Sequence, residues 1–376
     1  MTRLRKLYDA YGQSPWLDNL RRGWITHGEL EEWVERGVRG ITSNPTIFQK
    51  AIGSSTEYDA QFRDLAVSGH TIDEIYWDLV TVDIEDALGI LRPVHDASDG
   101  RDGFVSLEVA PALARDRDAT VAAARDLHQR IGRPNLFVKV PATAQGVDAI
   151  DQLIGDGYSI NVTLIFGLER YEEVIEAYLT GLERRAAAGG DLAKIASVAS
   201  FFVSRVDTEI DQRLEAIGSP QALALRGKSA VAQAQAAYQV FKDRFAGPRW
   251  DALAALGARA QRPLWASTST KNPAYADTMY VDALIGPDTV NTMPETTLQA
   301  FADHGSLART IDADPGAAPR VLREVEQVGV SLADVSTVLE DQGVAAFAKS
   351  FDELLTTLEA KADEARPTGG TSGGSS

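Results

Sequence analysis

The chain has 376 residues, of which 44% are hydrophobic and 24% charged, as in ordinary globular proteins. Its net charge is −17 and it contains no cysteine, which excludes disulfides, thiolate nucleophiles and Cys-ligated metals. The negative charge argues against nucleic acid or an anionic membrane as a partner. A small anionic substrate is still compatible with it, because a few cationic side chains focused in a cleft can outweigh a distant negative surface.

The sequence contains no signal for membrane insertion or export. No apolar run of about 18 residues predicts a membrane span, and no apolar segment follows the basic N-terminus. We therefore expect a cytoplasmic protein. The five histidines include no His-x-x-x-His pair that would suggest a metal site, and no Gly-x-Gly-x-x-Gly motif after a strand indicates a dinucleotide site.

Eight short apolar segments alternate with longer amphipathic ones. The predicted strands are residues 15–18, 40–43, 103–109, 135–140, 159–163, 196–202, 263–267 and 289–292. Most of them lack clean alternation, which is typical of strands buried on both faces. The predicted helices include residues 71–91, 118–131, 146–155, 169–187, 205–216 and 229–245. Eight strands in roughly 300 residues, alternating with helices, favour a parallel, closed (β/α)₈ barrel over an open sheet.

The predicted strands are unevenly spaced. About 60 residues separate the second strand from the third, and about 60 separate the sixth from the seventh, so additional helices are expected in both intervals. Residues 312–364 predict two or three more helices. We expect residues 1–365 to form a single barrel domain with inserted and C-terminal helices, and the Gly/Ser-rich residues 366–376 to be disordered.

Polar residues occur near the carboxyl ends of seven predicted strands, which is where barrels of this class place their active sites. In chain order they are Asp18, Ser43, Asn44, Glu108, Lys139, Asn161, Thr163, Ser200, Arg205, Ser267 and Lys271. Polar groups that converge from so many strands on one mouth predict a binding site rather than part of the core.

Three of these residues could carry acid–base or nucleophilic chemistry. Lys139 lies in the apolar run LFVKVP, where burial would favour the neutral, nucleophilic amine; alternatively it reaches solvent or pairs with a carboxylate. Glu108, in the run VSLEV, could shuttle protons or form a structural ion pair with Lys139. Asp18 could be a second acid or base, or it could cap the following helix.

Two cations near the ends of later strands are candidate phosphate ligands. Arg205 could bind phosphate oxygens through its planar fork of donors, and Lys271 as a point charge. Ser267 and Ser269 could add hydroxyl donors. The alternative for each cation is an ordinary solvated surface charge.

Six segments together resemble the transaldolase family, in the longer form found in some bacteria. They are GITSNPTIF (40–48), VSLEVAP (105–111), NLFVKVPATAQG (135–146), INVTLIF (160–166), ASFFVSRVD (199–207) and STSTKNP (267–273). The resemblance extends from about residue 10 to residue 360. It implies a (β/α)₈ barrel that forms a Schiff base on the fourth strand and needs no metal or organic cofactor.

The resemblance also implies a role for each candidate residue. Lys139 matches the Schiff-base lysine, Asp18 the acid/base for the C4 hydroxyl, and Glu108 with Thr163 the pair that holds a catalytic water. Positions that match substrate ligands are Asn44, Asn161, Ser200, Arg205, Ser267 and Lys271. One loop departs from the family pattern: compact transaldolases have an arginine shortly after the serine, whereas this chain has STSTK, with two additional residues.

The implied reaction moves a dihydroxyacetone unit from sedoheptulose 7-phosphate to glyceraldehyde 3-phosphate, giving erythrose 4-phosphate and fructose 6-phosphate, in the pentose phosphate pathway. A monomer or homodimer is expected.

One alternative is a fructose-6-phosphate aldolase-like enzyme; Phe202, where that branch has tyrosine, favours transfer. The other is an inactive sugar-phosphate-binding barrel, against which the intact set Asp18, Glu108, Lys139 and Thr163 argues.

Overall fold

Eight parallel strands form a closed barrel in which each strand pairs with the next and the last pairs with the first. The computed structural model describes residues 1–365, so the predicted disorder of residues 366–376 concerns a segment outside the described residues. The strands are β1 (Gln13–Asp18), β2 (Gly40–Thr42), β3 (Phe104–Glu108), β4 (Leu136–Pro141), β5 (Ile160–Ile165), β6 (Ser197–Phe202), β7 (Arg262–Ala266) and β8 (Thr289–Met293). The predicted (β/α)₈ barrel is confirmed, and no strand boundary differs from its predicted position by more than two residues.

Helices surround the barrel and occupy both long intervals between strands. Within the described residues they are α1 (Arg3–Tyr11), α2 (Arg22–Thr26), α3 (Glu29–Arg36), α4 (Pro45–Ser54), α5 (Asp59–Val67), α6 (Ile72–Ala97), α7 (Arg117–Ile131), α8 (Ala144–Asp156), α9 (Leu168–Ala187), α10 (Ser204–Ile217), α11 (Pro220–Leu223), α12 (Ser229–Arg244), α13 (Pro248–Ala255), α14 (Met279–Ala283), α15 (Glu295–His304), α16 (Ala317–Gln327) and α17 (Leu332–Ala365). The additional helices expected between β2 and β3 are α4–α6, and those between β6 and β7 are α10–α13. None of the helices in residues 1–365 is both long and apolar enough to cross a membrane.

Local signals explain where the helices next to the barrel mouth begin. The side chain of Asn44 accepts a hydrogen bond from the Ile47 amide at 3.0 Å, and Pro45 occupies the first turn of α4. Thr143 caps α8 in the same way. Side-chain caps satisfy amides that a helix leaves unpaired at its N-terminus, so both helices start directly after their strands.

The long helix α17 packs against α4, α6 and α10 and against strand β5. Phe347, Phe351, Leu354 and Leu358 on this helix are buried, and the ring of Phe351 meets that of Tyr76 edge-on at 5.0 Å between centroids. Burial of this apolar face holds the C-terminal segment beside the mouth of the barrel.

The amino-terminal end of the barrel is closed by aromatic side chains and a buried charge network. The ring of Phe104 stacks on that of Phe137 at 4.0 Å between centroids. Beside them the Asp102 carboxylate accepts hydrogen bonds from Ser14, Trp16, Arg39 and Arg262, with donor–acceptor distances of 2.8, 3.1, 2.8 and 3.1 Å. Because these donors come from β1, β7 and the segment before β2, the network connects strands from the beginning and the end of the barrel sequence.

Removal of the Asp102 carboxylate should destabilise the barrel. The Asp102→Ala variant leaves the guanidinium groups of Arg39 and Arg262 without their charge partner, so we expect a loss of about 3–5 kcal/mol in the free energy of unfolding. Chemical denaturation measures this loss. The matched control is Asp99→Ala, because Asp99 is fully exposed beside Arg259 and should contribute little. Equal stability of the two variants would contradict the proposed importance of the network.

The same network predicts a dependence of stability on pH. Burial alone would raise the pKa of Asp102, but Arg262 and Arg39 outweigh it and hold that pKa below its ordinary value. A carboxyl group whose pKa is lower in the folded state stabilises the fold above its unfolded pKa of about 3.9, and this contribution disappears as the pH falls through the folded pKa. We expect the stability of the wild type to fall with acidification more steeply than that of an Asp102→Asn variant; parallel curves would refute this.

Candidate active site

A cavity of about 480 Å³ opens at the carboxyl ends of the strands and contains most of the predicted site residues. Eight of the ten line it: Asp18, Asn44, Lys139, Thr163, Ser200, Arg205, Ser267 and Lys271. The other two, Glu108 and Asn161, are buried next to it and contact lining residues. The barrel therefore brings together all ten side chains, although they come from seven strands and the segments that follow them.

The amine of Lys139 is buried at the floor of this cavity. Its Nζ atom lies 3.4 Å from Oε2 of Glu108, and the two side chains are 6% and 5% exposed. It also donates a hydrogen bond to the Ser43 carbonyl at 3.0 Å. Glu108 and Lys139 are direct neighbours in the register of β3 and β4. The lysine therefore does not extend to solvent. The ion pair between Glu108 and Lys139 that the sequence suggested is present, and its lysine lines a cavity that a substrate can enter.

Both acidic groups near Lys139 have altered proton affinities. Burial raises the pKa of Glu108 above its usual value, although the charge of Lys139 works in the opposite direction. Burial likewise raises the pKa of Asp18, against the opposing charge of Lys139 and the hydrogen bond from Thr42. Carboxyl groups with raised pKa values can exchange protons nearer to neutral pH, as general acid–base catalysis requires.

Asp18 does not cap the helix that follows it. Helix α2 begins after Arg21 without a side-chain cap, whereas the Asp18 carboxylate accepts a hydrogen bond from the Thr42 hydroxyl at 2.6 Å. That hydroxyl lies 2.6 Å from the hydroxyl of Thr292. The structural alternative considered for Asp18 is therefore wrong, and its carboxylate faces the cavity.

A chain of hydrogen bonds inside the barrel sets the orientation of Asn161. Its amide nitrogen donates to the Ser106 hydroxyl at 3.0 Å, and its carbonyl oxygen accepts from the Ser200 hydroxyl at 2.7 Å. By contrast, the buried hydroxyl of Thr163 and Oε2 of Glu108 have no hydrogen-bond partner among the residues that the structure describes. These two polar atoms can bind a water molecule or a substrate hydroxyl beside Lys139.

Cationic side chains also line the cavity. The guanidinium of Arg205, in the first turn of α10, lies 5.3 Å from the ring centre of Phe202 and 5.9 Å from that of Phe347. Within residues 1–363 no carboxylate oxygen lies within 4 Å of it. Lys271 donates to the Ser269 hydroxyl at 2.9 Å, and burial together with the charges of Arg205 and Lys50 lowers the pKa of Lys271.

Ser267 has a backbone conformation that places it at the start of the loop after β7. Its φ angle is +55°, a region rarely occupied by residues other than glycine. Its hydroxyl lies 2.9 Å from that of Ser204 at the start of α10. The side chains that converge on this part of the cavity can donate several hydrogen bonds to an anion.

Several lining residues were not identified from the sequence. Lys50 on α4 adds a further cation, and its position eight residues after the end of β2 could have suggested this. Thr42 holds Asp18 in place. Phe347, on α17, contributes an aromatic wall, but nothing in its local sequence distinguishes it from an ordinary core residue. Among the described residues, no group of three or more His, Asp or Glu side chains could hold a metal ion.

Comparison with known proteins shows to which family the chain is related. Residues 15–358 match the family model described as Transaldolase/Fructose-6-phosphate aldolase. The chain is 54% identical to a protein named transaldolase from Parafrankia sp. (strain EAN1pec), over 93% of this chain and 95% of that protein. It is 52% identical to a transaldolase from Thermobifida fusca (strain YX), over 94% and 96% of the two chains. It is 50% identical to one from Mycolicibacterium smegmatis, over 95% and 97%. The match includes the barrel strands and most of α17, and the chain belongs to the transaldolase/fructose-6-phosphate aldolase family.

Proposed function

We propose that this protein is a transaldolase that transfers a dihydroxyacetone unit from sedoheptulose 7-phosphate to glyceraldehyde 3-phosphate through a Schiff base on Lys139. The observation that carries the proposal is a buried amine, 3.4 Å from a carboxylate, in a cavity that is also lined by cations without an ion-pair partner in residues 1–363. A cytoplasmic location, a place in the pentose phosphate pathway and a monomeric or homodimeric state are part of the same prediction.

The first step is formation of the Schiff base. Lys139 attacks the C2 carbonyl of the ketose phosphate as a neutral amine. The adduct then loses its hydroxyl group as water, with Glu108 as the proton donor and a water molecule held by Glu108 and Thr163 as the relay. The resulting iminium is positively charged and withdraws electrons from C3, so the protein itself supplies the electron sink for the next step.

The second step is cleavage and transfer. Asp18 removes the proton of the C4 hydroxyl, the C3–C4 bond breaks, and its electron pair moves into the iminium to form an enamine. Erythrose 4-phosphate leaves as the aldehyde. The enamine carbon then attacks the carbonyl carbon of glyceraldehyde 3-phosphate, Asp18 returns the proton to the new hydroxyl, and hydrolysis of the iminium releases fructose 6-phosphate and restores the Lys139 amine.

The remaining predicted residues would position the substrate. Arg205, Ser267 and Lys271 would bind the phosphate, because two of them are cations and all three are hydrogen-bond donors that line the cavity. Asn44, Asn161 and Ser200 would contact the hydroxyl groups of the sugar. Phe202 lines the cavity without a hydroxyl group, and this supports transfer to a sugar acceptor over an aldolase-like release of free dihydroxyacetone.

The Lys139→Ala variant should show no detectable transfer while keeping its fold, since Lys50 and Lys271, the other lysines that line the cavity, do not pair with Glu108 in the structure described. Borohydride reduction in the presence of fructose 6-phosphate, followed by peptide mass mapping, should find the adduct on Lys139 in the wild type and no adduct in the variant. The control is Lys194→Ala, which removes a lysine that is 85% exposed and should remain active. An adduct on another lysine would refute the assigned nucleophile.

The Asp18→Asn variant should separate Schiff-base formation from bond cleavage. We expect borohydride still to trap fructose 6-phosphate on Lys139, whereas release of glyceraldehyde 3-phosphate should be lost because no base takes the C4 hydroxyl proton. Exposed Asp118→Asn is the control. In the wild type, the rate should fall as the pH drops through the raised pKa of Asp18, at a pH above the ordinary value of about 3.9. Cleavage at the wild-type rate by Asp18→Asn would contradict this role.

The Arg205→Ala variant should mainly weaken binding of phosphorylated substrates. A hydrogen bond to a charged group contributes about 1.5–3 kcal/mol, which corresponds to a rise in KM of roughly 10- to 100-fold. Steady-state kinetics with glyceraldehyde 3-phosphate measure the change. Arg213→Ala is the matched control, because Arg213 lies on the same helix but pairs with Glu209 and Asp334. A loss in kcat without a change in KM would argue against phosphate binding by Arg205.

A further inference from the structure

The loop between β7 and α14, residues 267–278, is fixed firmly at its first two residues. The Ser204 amide at the start of α10 donates to the Ser267 carbonyl at 2.9 Å, and the two serine hydroxyls lie 2.9 Å apart. The Thr268 hydroxyl donates to the Asn291 side chain on β8 at 2.9 Å. This end of the loop is therefore attached both to α10 and to the barrel.

The middle of the loop lacks such attachments. Among the described residues, every hydrogen bond of residues 269–274 stays within the loop itself, such as those from Lys271 to Ser269 and from the Tyr275 amide to the Asn272 carbonyl. Lys271 is exposed to solvent, and it also lines the cavity. Its position therefore depends on what holds the far end of the loop.

A hydrogen bond between Tyr275 and Asp211 holds that far end. The Tyr275 hydroxyl donates to Oδ2 of Asp211 at 2.6 Å, and Oδ1 of the same carboxylate accepts from the Gly227 amide at 2.9 Å. Gly227 has a φ angle of +70°, and a Cβ atom at this position would lie 2.7 Å from Cζ of Tyr275. The tyrosine ring is therefore packed directly against the Gly227 backbone, which only glycine permits.

The neighbouring carboxylate on α10 makes an equivalent connection at the end of the loop. Oδ2 of Asp207 accepts from the Tyr280 hydroxyl on α14 at 3.0 Å, and Oδ1 accepts from the Ala230 amide at 2.7 Å. Burial raises the pKa of Asp207 to about 6. Two aspartates one helical turn apart thus join α10 to the start of α12 and to the segment that follows Lys271.

We propose that Tyr275 is a positioning residue for the phosphate end of the substrate, acting through Asp211 on Lys271; this inference rests on the proposed function. Helix α10 carries both Arg205 and Asp211, which are separated by roughly 9 Å along a rigid helix. A loop that is fastened to that helix keeps Lys271 at a constant distance from Arg205. Without the Tyr275 hydroxyl, the lysine must be ordered when the anion binds, and that ordering weakens affinity.

The test is the Tyr275→Phe variant, which removes one hydroxyl and retains the ring. Titration calorimetry with inorganic phosphate should show affinity about fivefold to tenfold lower than in the wild type, less than the roughly 10- to 100-fold expected for loss of a charge-assisted hydrogen bond to the ligand itself, because Tyr275 acts only through Lys271. With glyceraldehyde 3-phosphate as acceptor, KM should rise by a similar factor while kcat stays close to the wild-type value. At saturating donor concentration, the KM for unphosphorylated glyceraldehyde should not change, since this acceptor has no phosphate for Lys271 to bind.

Two further variants keep the proposal falsifiable. Gly227→Ala retains the Tyr275 and Asp211 side chains, but the added Cβ atom displaces the tyrosine ring, so this variant should also weaken phosphate binding. Tyr178→Phe removes another buried hydroxyl, which donates to the Arg259 carbonyl at 2.7 Å far from the cavity, and should not affect phosphate binding. Unchanged phosphate affinity in Tyr275→Phe, or an equal loss in Tyr178→Phe, would overturn the proposal. A wild type that binds phosphate but transfers no dihydroxyacetone would instead refute the proposed function.

Discussion

The burial of the Lys139 amine beside Glu108 is the constraint on which the rest of the site depends. The free energy lost when two charged groups leave water usually exceeds the free energy gained from their mutual attraction. This ion pair is therefore not expected to stabilise the barrel. The closed sheet, with its apolar strands and the charge network around Asp102 at the opposite end, supplies the stability that keeps the amine there. A stabilising amino-terminal end and a polar carboxyl-terminal end, where the site lies, are characteristic of barrels of this class.

The cavity brings together two sets of charged side chains, one of carboxyl groups and one of cations. The carboxyl groups of Asp18 and Glu108 are buried on the floor and hold protons more tightly than in water. The cations Arg205 and Lys271 line the same cavity, and their charges lower the pKa of Asp18 against the effect of burial. A sugar phosphate bound with its phosphate toward the cations would direct its carbonyl end to Lys139. The net charge of −17 over the whole chain does not prevent this, because the field within a cleft is set by its nearest groups.

The barrel could be predicted because each strand has its own local signal, a short apolar run. The site could be predicted in part for the same reason: Lys139 and Glu108 stand out as charges within such runs. The choice between a helix cap and a cavity-facing carboxylate for Asp18 could not be made from the sequence, because aspartate suits both and only the contact with Thr42 decides. Phe347 could not be found at all, since its place at the mouth results from packing of α17 across distant parts of the chain. The connection from Tyr275 to Asp211 is hidden for the same reason.

Helix α17 gives the cavity a wall that the eight strands and their loops do not contain. The last strand ends at Met293, and Phe347 comes more than fifty residues later. During synthesis all eight strands and Lys139 can thus emerge before the residue that forms the aromatic wall exists. A chain cut by proteolysis between α16 and α17 would retain Lys139 but lose Phe347, which would leave the cavity more open to water. The C-terminal helix therefore completes a cavity that the barrel strands and their loops would leave open on one side.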